Sequence, residues 1–516
     1  MRQKESFSMP FAAIDFTEGG IFMNIGTISA FAIYFIAMIA VGIFFCKRSQ
    51  NHADYILGGR SLNKWVAALS AQASDMSGWL LTGLPGLAFM SGCSEAFWTA
   101  LGLLLGTYLN WKFVAKRLRQ YTKVAGDSLT LPDFFENRFK DKTKQLRAVT
   151  AIIFIVFFLV YTAAQFAVGA KLFHTVFGWN YHVGLIVGAV IIVAYTMLGG
   201  FLAVCWTDFI QGMLMFFAII IVPVFAMVKM GGMQASYDII SGFGAAYFNV
   251  MQAPEGQNIV MIIISSLAWG LGYFGMPHIL VRFMGIKSPD EVKPARRVAM
   301  VWVTVSLIFA VLVGIFGKAY LTSVGAAITD GETVFMVMAS KLFPVFIAGI
   351  LLSAILAATM STADSQLLVA SSAISEDIYK AFFRKNASEK ELMLVSRVTV
   401  LGVALIAVFM AMDPESSIFE LVAHAWAGFG AAFGPAILFS LFWKKTNKTA
   451  VLVSILVGGA IALLWPYLPK TVTFGIYEII PGFLASMLII IIGSLAGKEP
   501  SKEILDEFEM VKNEKI

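Results

Sequence analysis

The sequence predicts an all-α polytopic membrane protein that crosses the bilayer about thirteen times. Of its 516 residues, 59% are hydrophobic and 14% charged, whereas soluble domains run near half and a quarter. The charge is also segregated. Apolar runs of about 20 residues, long enough for a hydrocarbon core of roughly 30 Å, alternate with short hydrophilic joints that are basic at every second position.

The runs fall near 22–45, 64–91, 96–115, 147–172, 182–201, 206–229, 258–284, 297–318, 345–374, 393–411, 417–443, 449–467 and 476–496. Basic residues collect in the joints 46–63 (Lys47, Arg48, Arg60), 116–146 (from Lys116 to Lys144), 285–296 (Lys287, Lys293, Arg296), 375–392 (Lys380, Arg384, Lys385, Lys390) and 444–448 (Lys444, Lys445, Lys448). The joint 230–257 has no lysine or arginine, and 319–344 has only Lys341. Positively charged loops face the cytoplasm. An odd number of spans follows, with the N-terminus outside and the C-terminus cytoplasmic, in the cell membrane. The first run is followed by no small-residue cleavage site and is expected to be a retained helix, not a signal peptide. Residues 1–496 read as one transmembrane domain and 497–516 as a cytoplasmic tail, amphipathic or disordered.

The net charge of +6 belongs to these joints and points to no nucleic acid. Cys46, Cys93 and Cys205 are widely spaced, and the five histidines (His52, His174, His182, His278, His424) are scattered, so neither a disulfide framework nor a zinc site is expected. Without a metal-ligand set or a nucleophile–base pair, an enzyme is not expected either, and no obligate protein partner is evident.

Two spans carry helix breakers at mid-depth. Span 2 holds Asp75 with Ser74, Ser77 and Gly78; span 7 holds SSLAWGLGYFGMPHIL, residues 265–280, ending its glycine-rich half at Pro277. A break frees backbone N–H and C=O groups where lipid cannot satisfy them, so it persists only where they line a cavity or coordinate something. Glycine and proline also serve helix packing alone, but an acid within a span costs at least a few kcal/mol unless a cation or water compensates. Spans 2 and 7 are five apart, an odd offset, so spans 2–6 and 7–11 (about 64–229 and 258–443) can form two five-helix units of inverted topology, each opening with a discontinuous helix. That pattern points to a secondary transporter's binding site. Gly270, Gly272 and Gly275 also spell G-x-G-x-x-G, but without a βαβ unit this is no dinucleotide fingerprint.

Span 9 supplies ILAATMSTADSQLLVASSAISED, residues 355–377. Ser361, Thr362 and Ser365 fall within little more than a turn, beside Asp364. Hard oxygen donors of this kind suit an alkali cation; serine and threonine hydroxyls equally suit bonds back to carbonyls of the preceding turn.

The stretches ALSAQASDMSGWLLTGLPG (68–86), WGLGYFGMPHILVRFM (269–284), GGFLAVCWTDFIQ (199–211) and MSTADSQLLVASSAISEDIYKAF (360–382) resemble the sodium/solute symporter family, and within it the sodium/proline branch. The resemblance runs from about residue 25 to 495. It implies a LeuT-type core of inverted repeats with one extra span before and two after, working by alternating access. It further implies sodium held by carbonyls of Ala73, Met76 and Ala358 and hydroxyls of Ser361 and Thr362. Asp75, Arg60 and Asp208 would act in ion coupling, and Ser77, Tyr161, Trp269, Tyr273 and Pro277 would shape the site for L-proline or a similar small solute. A second sodium site from Asp208, Ser361, Asp364 and Ser365 is a further possibility under the resemblance. Another solute (a different amino acid, a sugar, sialic acid or pantothenate) stays open, as does a transporter-like sensor, against which the short tail speaks.

Overall fold

The structure is a computed structural model describing residues 25–46, 52–197, 199–253 and 257–513; the first twenty residues and the Lys47–Arg48 joint lie outside these. Among the described residues there is no strand, only one isolated parallel bridge between Leu62 and Ile286. The main helices are α1 (Ile25–Cys46), α2 (Lys64–Met76), α3 (Gly83–Ser91), α4 (Cys93–Leu109), α5 (Gln145–Phe177), α6 (Tyr181–Thr196), α7 (Phe201–Lys229), α8 (Ile259–Gly272), α9 (Pro277–Gly285), α10 (Val292–Ser323), α11 (Val345–Ser372), α12 (Glu389–Met410), α13 (Ile418–Phe442), α14 (Lys448–Leu464), α15 (Ile479–Ala496) and α16 (Lys502–Asn513). Nine helices among the described residues are long and apolar enough to cross a membrane, or ten if α8 and α9, bent by 40°, count as one span.

Helix starts follow local chemistry. Asn63 accepts from the N–H groups of Trp65 and Val66 to cap α2, and Asn258 and Ser417 cap α8 and α13 in the same way, each satisfying a donor that the helix itself cannot. Basic joints are more ordered than the sequence suggested: residues 116–146 hold helices Ala115–Val124 and Leu131–Arg138. The tail resolves in favour of its amphipathic reading. Ile504, Phe508 and Val511 of α16 are buried, with Phe508 edge-to-face against Tyr121 and flanked by the guanidinium groups of Arg117 and Arg138.

α5 and α11 form the centre, while α1, α12 and α15 expose apolar side chains such as Ile36, Phe409 and Ile492. Such a belt suits lipid, where the helix already satisfies its own backbone. Small residues let helices close up. A Cβ on Gly106 would come within 2.4 Å of the Gly270 carbonyl, and Gly102 with Gly106 makes the small-xxx-small spacing of tight membrane packing. Gly272 and Gly275 do the same against α13, where a Cβ would meet Trp426 at 2.0 Å and the Phe429 carbonyl at 2.2 Å. The three glycines of the G-x-G-x-x-G string are thus packing glycines.

Candidate functional site

Both interrupted segments converge at the centre of the bundle. α2 ends at Met76, and Ser77 takes φ 53°, ψ −172°, a strained region for a residue with a Cβ. A short 3₁₀ turn, Gly78–Leu80, follows before α3. Side chains satisfy the freed groups. Gln165 of α5 accepts from the Gly78 N–H at 3.1 Å, Tyr161 donates to the Asp75 carbonyl at 3.2 Å, and Ser77 Oγ accepts from the Trp79 N–H. On the other broken segment, Trp426 Nε1 donates to the Trp269 carbonyl at 2.7 Å and Asn110 to the Tyr273 carbonyl at 2.9 Å. Buried breaks held open by specific donors and acceptors are built features.

A cavity of about 220 Å³ sits against these breaks, lined by Asp75, Met76, Ser77, Trp79, Leu103, Tyr161, Trp269, Val422 and Trp426. All nine are buried. The chamber pairs one carboxylate with aromatic walls. The Asp75 carboxylate accepts from Tyr273 at 2.7 Å and from Gln72 at 3.3 Å. Phe419 at the start of α13 roofs the chamber, its ring centroid 6.0 Å from Trp79 and 5.2 Å from Trp269.

One turn to the side, α2 and α11 meet through oxygens. Ser361 Oγ lies 3.0 Å from the Ala73 carbonyl and 3.2 Å from that of Ala358; Thr362 Oγ1 lies 3.0 Å from the Ser74 carbonyl and 3.5 Å from that of Ala73. Four of the five expected sodium ligands therefore gather in one buried cluster: Ala73, Ala358, Ser361 and Thr362. The fifth, Met76, faces the neighbouring cavity. Back-bonding within α11 accounts for only one of these four contacts, the Ser361 to Ala358 one; the others cross to α2.

Of the expected substrate residues, Ser77, Tyr161 and Trp269 line the cavity. Tyr273 stands behind Asp75, and Pro277 faces a different cavity. Arg60 is remote from the chamber. Its guanidinium donates to Asp127, Thr122 and the carbonyls of Met284 and Ser128, tying the approach to α2 to the far end of α9. There the Leu62 N–H also donates to the Gly285 carbonyl and the Leu62 carbonyl accepts from the Lys287 N–H. Burial would push the Asp127 carboxyl up, but its bonds to Lys123 and Arg60 outweigh that and hold it below the usual carboxylate range.

Asp208 and Asp364 do lie together, but around an arginine. Arg282 and Asp208 form an ion pair at 3.1 Å with both side chains fully buried. Ser70 donates to the same Asp208 oxygen at 2.6 Å, and Arg282 also reaches Ser365 and the His278 carbonyl. A guanidinium thus bonds two of the four residues expected at a second sodium site, Asp208 and Ser365. Sequence reading passed over Arg282 although it lies within a quoted motif: a charged residue in an apolar run is the same signal that singled out Asp75. Gln165, Trp79 and Trp426 were missed for a different reason, since only the fold brings them to the breaks.

Residues 55–458 match the profile of the sodium:solute symporter family. The chain belongs to that family. Among curated relatives, this symporter is 48% identical to the sodium/proline symporter of Escherichia coli, over 93% of this chain and 94% of the relative. It is 46% identical to the osmoregulated proline transporter OpuE of Bacillus subtilis over 93% and 96%, and 47% identical to the high-affinity proline transporter PutP of the same organism over 91% and 98%. Among solved structures it superposes on a Na+-coupled sialic acid symporter in a substrate-bound outward-open state, with TM-score 0.78 at 19% identity, over 92% of this chain and 99% of the other. At that identity the likeness speaks for the fold. The symporter is a multi-pass membrane protein that carries sodium with a solute; it is a transporter, not an enzyme, and sodium is cargo.

Proposed function

We propose that this symporter takes up L-proline, one sodium ion driving each solute inward. The chemistry of the central chamber carries the reading. Proline is a compact zwitterion with an apolar ring; Asp75 offers the only carboxylate on the chamber wall, suited to the secondary ammonium, while Trp79, Trp269 and Trp426 suit the ring and the cation. Relatives named as proline transporters at 46–48% identity support the same solute.

Sodium would sit among the carbonyls of Ala73, Met76 and Ala358 and the hydroxyls of Ser361 and Thr362. Asp75 follows Ala73 by two residues, so one short stretch of α2 would serve the ion with its backbone and the solute with its side chain. Sodium binding then orders the solute site, and coupling is differential affinity between states. Arg282, already paired with Asp208, offsets one of the two carboxylates of the alternative second site, which favours one sodium per cycle. A charge crossing 100 mV contributes about 2.3 kcal/mol and a tenfold gradient about 1.4, enough together to accumulate a neutral solute roughly 500-fold.

In this reading thirteen spans arise from the nine long helices, the α8/α9 and α2/α3 pairs, α4 and α6. Spans 2–6 and 7–11 form the inverted repeats, about 64–229 and 258–443, in a single transmembrane domain over 1–496. The N-terminus is outside, and Arg60 and α16 lie on the cytoplasmic face.

The test is labelled proline uptake into proteoliposomes at fixed potential, with inward sodium and then with potassium replacing it, for wild type and Asp75→Asn. Sodium-dependent accumulation that Asp75→Asn abolishes is the expected result. Equal uptake without sodium would refute coupling, and no proline uptake under either condition would refute the solute.

A further inference from the structure

A second cavity lies one level below the first, and nothing in the transport reading above uses it. Phe154, Phe201, Pro277, Val281 and Leu368 give it apolar walls, with Thr130, Ser372 and Asp377 as its polar groups. The two chambers share helices. On α5, Tyr161 lines the upper and Phe154 the lower, seven residues apart and so roughly 10 Å along the axis. On α11, Leu368 and Ser372 follow the hydroxyl cluster by two to three turns, towards the basic joints. Between the levels stand Phe158, Tyr161 and His278, both rings 5.9 Å from the imidazole.

Asp377 is fully buried in an 11-residue π-helical stretch, Ala373–Phe383, that continues α11; π-turns recur at functional sites. One carboxylate oxygen, Oδ1, accepts from Arg147 at 2.7 Å and from Thr130 at 2.9 Å. The other, Oδ2, has no partner. Arg147 is meanwhile shared with Asp133 and Glu136, each at 3.1 Å, so three acids face one guanidinium. A buried anionic oxygen without a donor is expensive, and here it belongs to a residue on the wall of an apolar chamber. The chemistry asks for a cationic group attached to a hydrocarbon body.

We propose that this lower chamber is a second solute site on the release side, which takes the amine of a small apolar zwitterion on Asp377 Oδ2 and its ring against Phe154, Phe201 and Val281. The proposal rests on the reading of the protein as a proline symporter. Solute leaving Asp75 then passes the Phe158–Tyr161–His278 layer and is met by a second carboxylate before it reaches the cytoplasm, which spares its ammonium a bare apolar passage.

Equilibrium binding of labelled proline to the purified full-length protein in sodium tests this, together with proteoliposome uptake. Wild type should show two classes of site. Asp377→Asn keeps an acceptor for Arg147 and Thr130 but removes the charge; it should weaken the lower-affinity class on the order of tenfold or more and leave the higher-affinity class within about twofold. Val281→Phe fills the chamber with the carboxylate intact and should abolish the same class, so a folding failure in one variant leaves the other decisive. A single class in wild type, or both classes unchanged in both variants, overturns the chamber while sodium-driven uptake keeps the symporter reading. Absence of sodium-driven proline uptake in wild type overturns that reading and the lower site with it.

Discussion

In the proposed topology, breaking the latch over the central chamber should open it to the outside. Glu332, in the loop before α11, accepts from the N–H groups of Ile418 and Phe419 at 3.1 and 2.9 Å and from Lys171, at the end of α5, at 2.7 Å. It therefore caps α13, where a carboxylate also meets the positive end of the helix dipole, and holds Phe419 over Trp79 and Trp269. Removing one partner of a fully buried pair costs about 3–5 kcal/mol. Lys171 retains Asp330 at 2.9 Å, whose side chain is 41% exposed, which reduces the loss to about 1–2 kcal/mol. At about 1.4 kcal/mol per decade, Glu332→Gln should shift the closed-to-open ratio by roughly 5- to 30-fold. With Cys46, Cys93 and Cys205 replaced by serine and Leu103→Cys placed in the chamber, a membrane-impermeant maleimide applied outside should label faster by that factor in sodium and proline. Labelling within about twofold of the parent, at equal expression and thermal midpoint, would refute the latch.

Three further outcomes follow from the same geometry. Asp208→Asn and Arg282→Met should each cost about 3–5 kcal/mol of stability by orphaning a buried charge, whereas the double apolar variant Asp208→Leu with Arg282→Met should recover much of it; thermal unfolding in detergent reads this, and additive losses would contradict it. Thr362→Val removes a hydroxyl from the α2–α11 cluster while keeping its shape, so the sodium concentration for half-maximal uptake should rise about tenfold with expression unchanged. At Asp141, burial would raise the carboxyl, but Lys448 at 2.6 Å, Thr143 and the Leu146 N–H hold it below the usual range. Its stabilisation is thus complete above the ordinary carboxylate value of about 4 and lost as pH falls through the lower folded value; Asp141→Asn should lessen the fall in thermal midpoint on acidification below about pH 4, and an unchanged slope would count against it.

Segments and breaks were legible in the sequence because lipid leaves few alternatives. Each apolar run had to become a helix, and an acid beside serine and glycine in such a run had to mark an interruption. The hydroxyl cluster was legible for a similar reason: Ser361 and Thr362 are adjacent on α11, and both reach carbonyls of α2. Helical order in residues 116–146 was not legible, because charge density there mimics a solvated loop. Its helices depend on partners far away in sequence, such as Ser440, whose carbonyl accepts from the buried Arg138.

Asp208 and Arg282 show why site residues are harder to read than spans. Each alone looks like an intramembrane charge in search of a cation or an anion, and the sequence separates them by 74 positions. Only the packing of the fold reveals that they pair, with Arg282 and Ser70 both donating to one Asp208 oxygen. The same packing leaves Asp75 with neutral partners alone, Tyr273 and Gln72, which orient its carboxylate without cancelling its charge. That difference separates an acid that maintains the fold from one still available to bind a cationic solute, and it lies in the partners, not in the residue type.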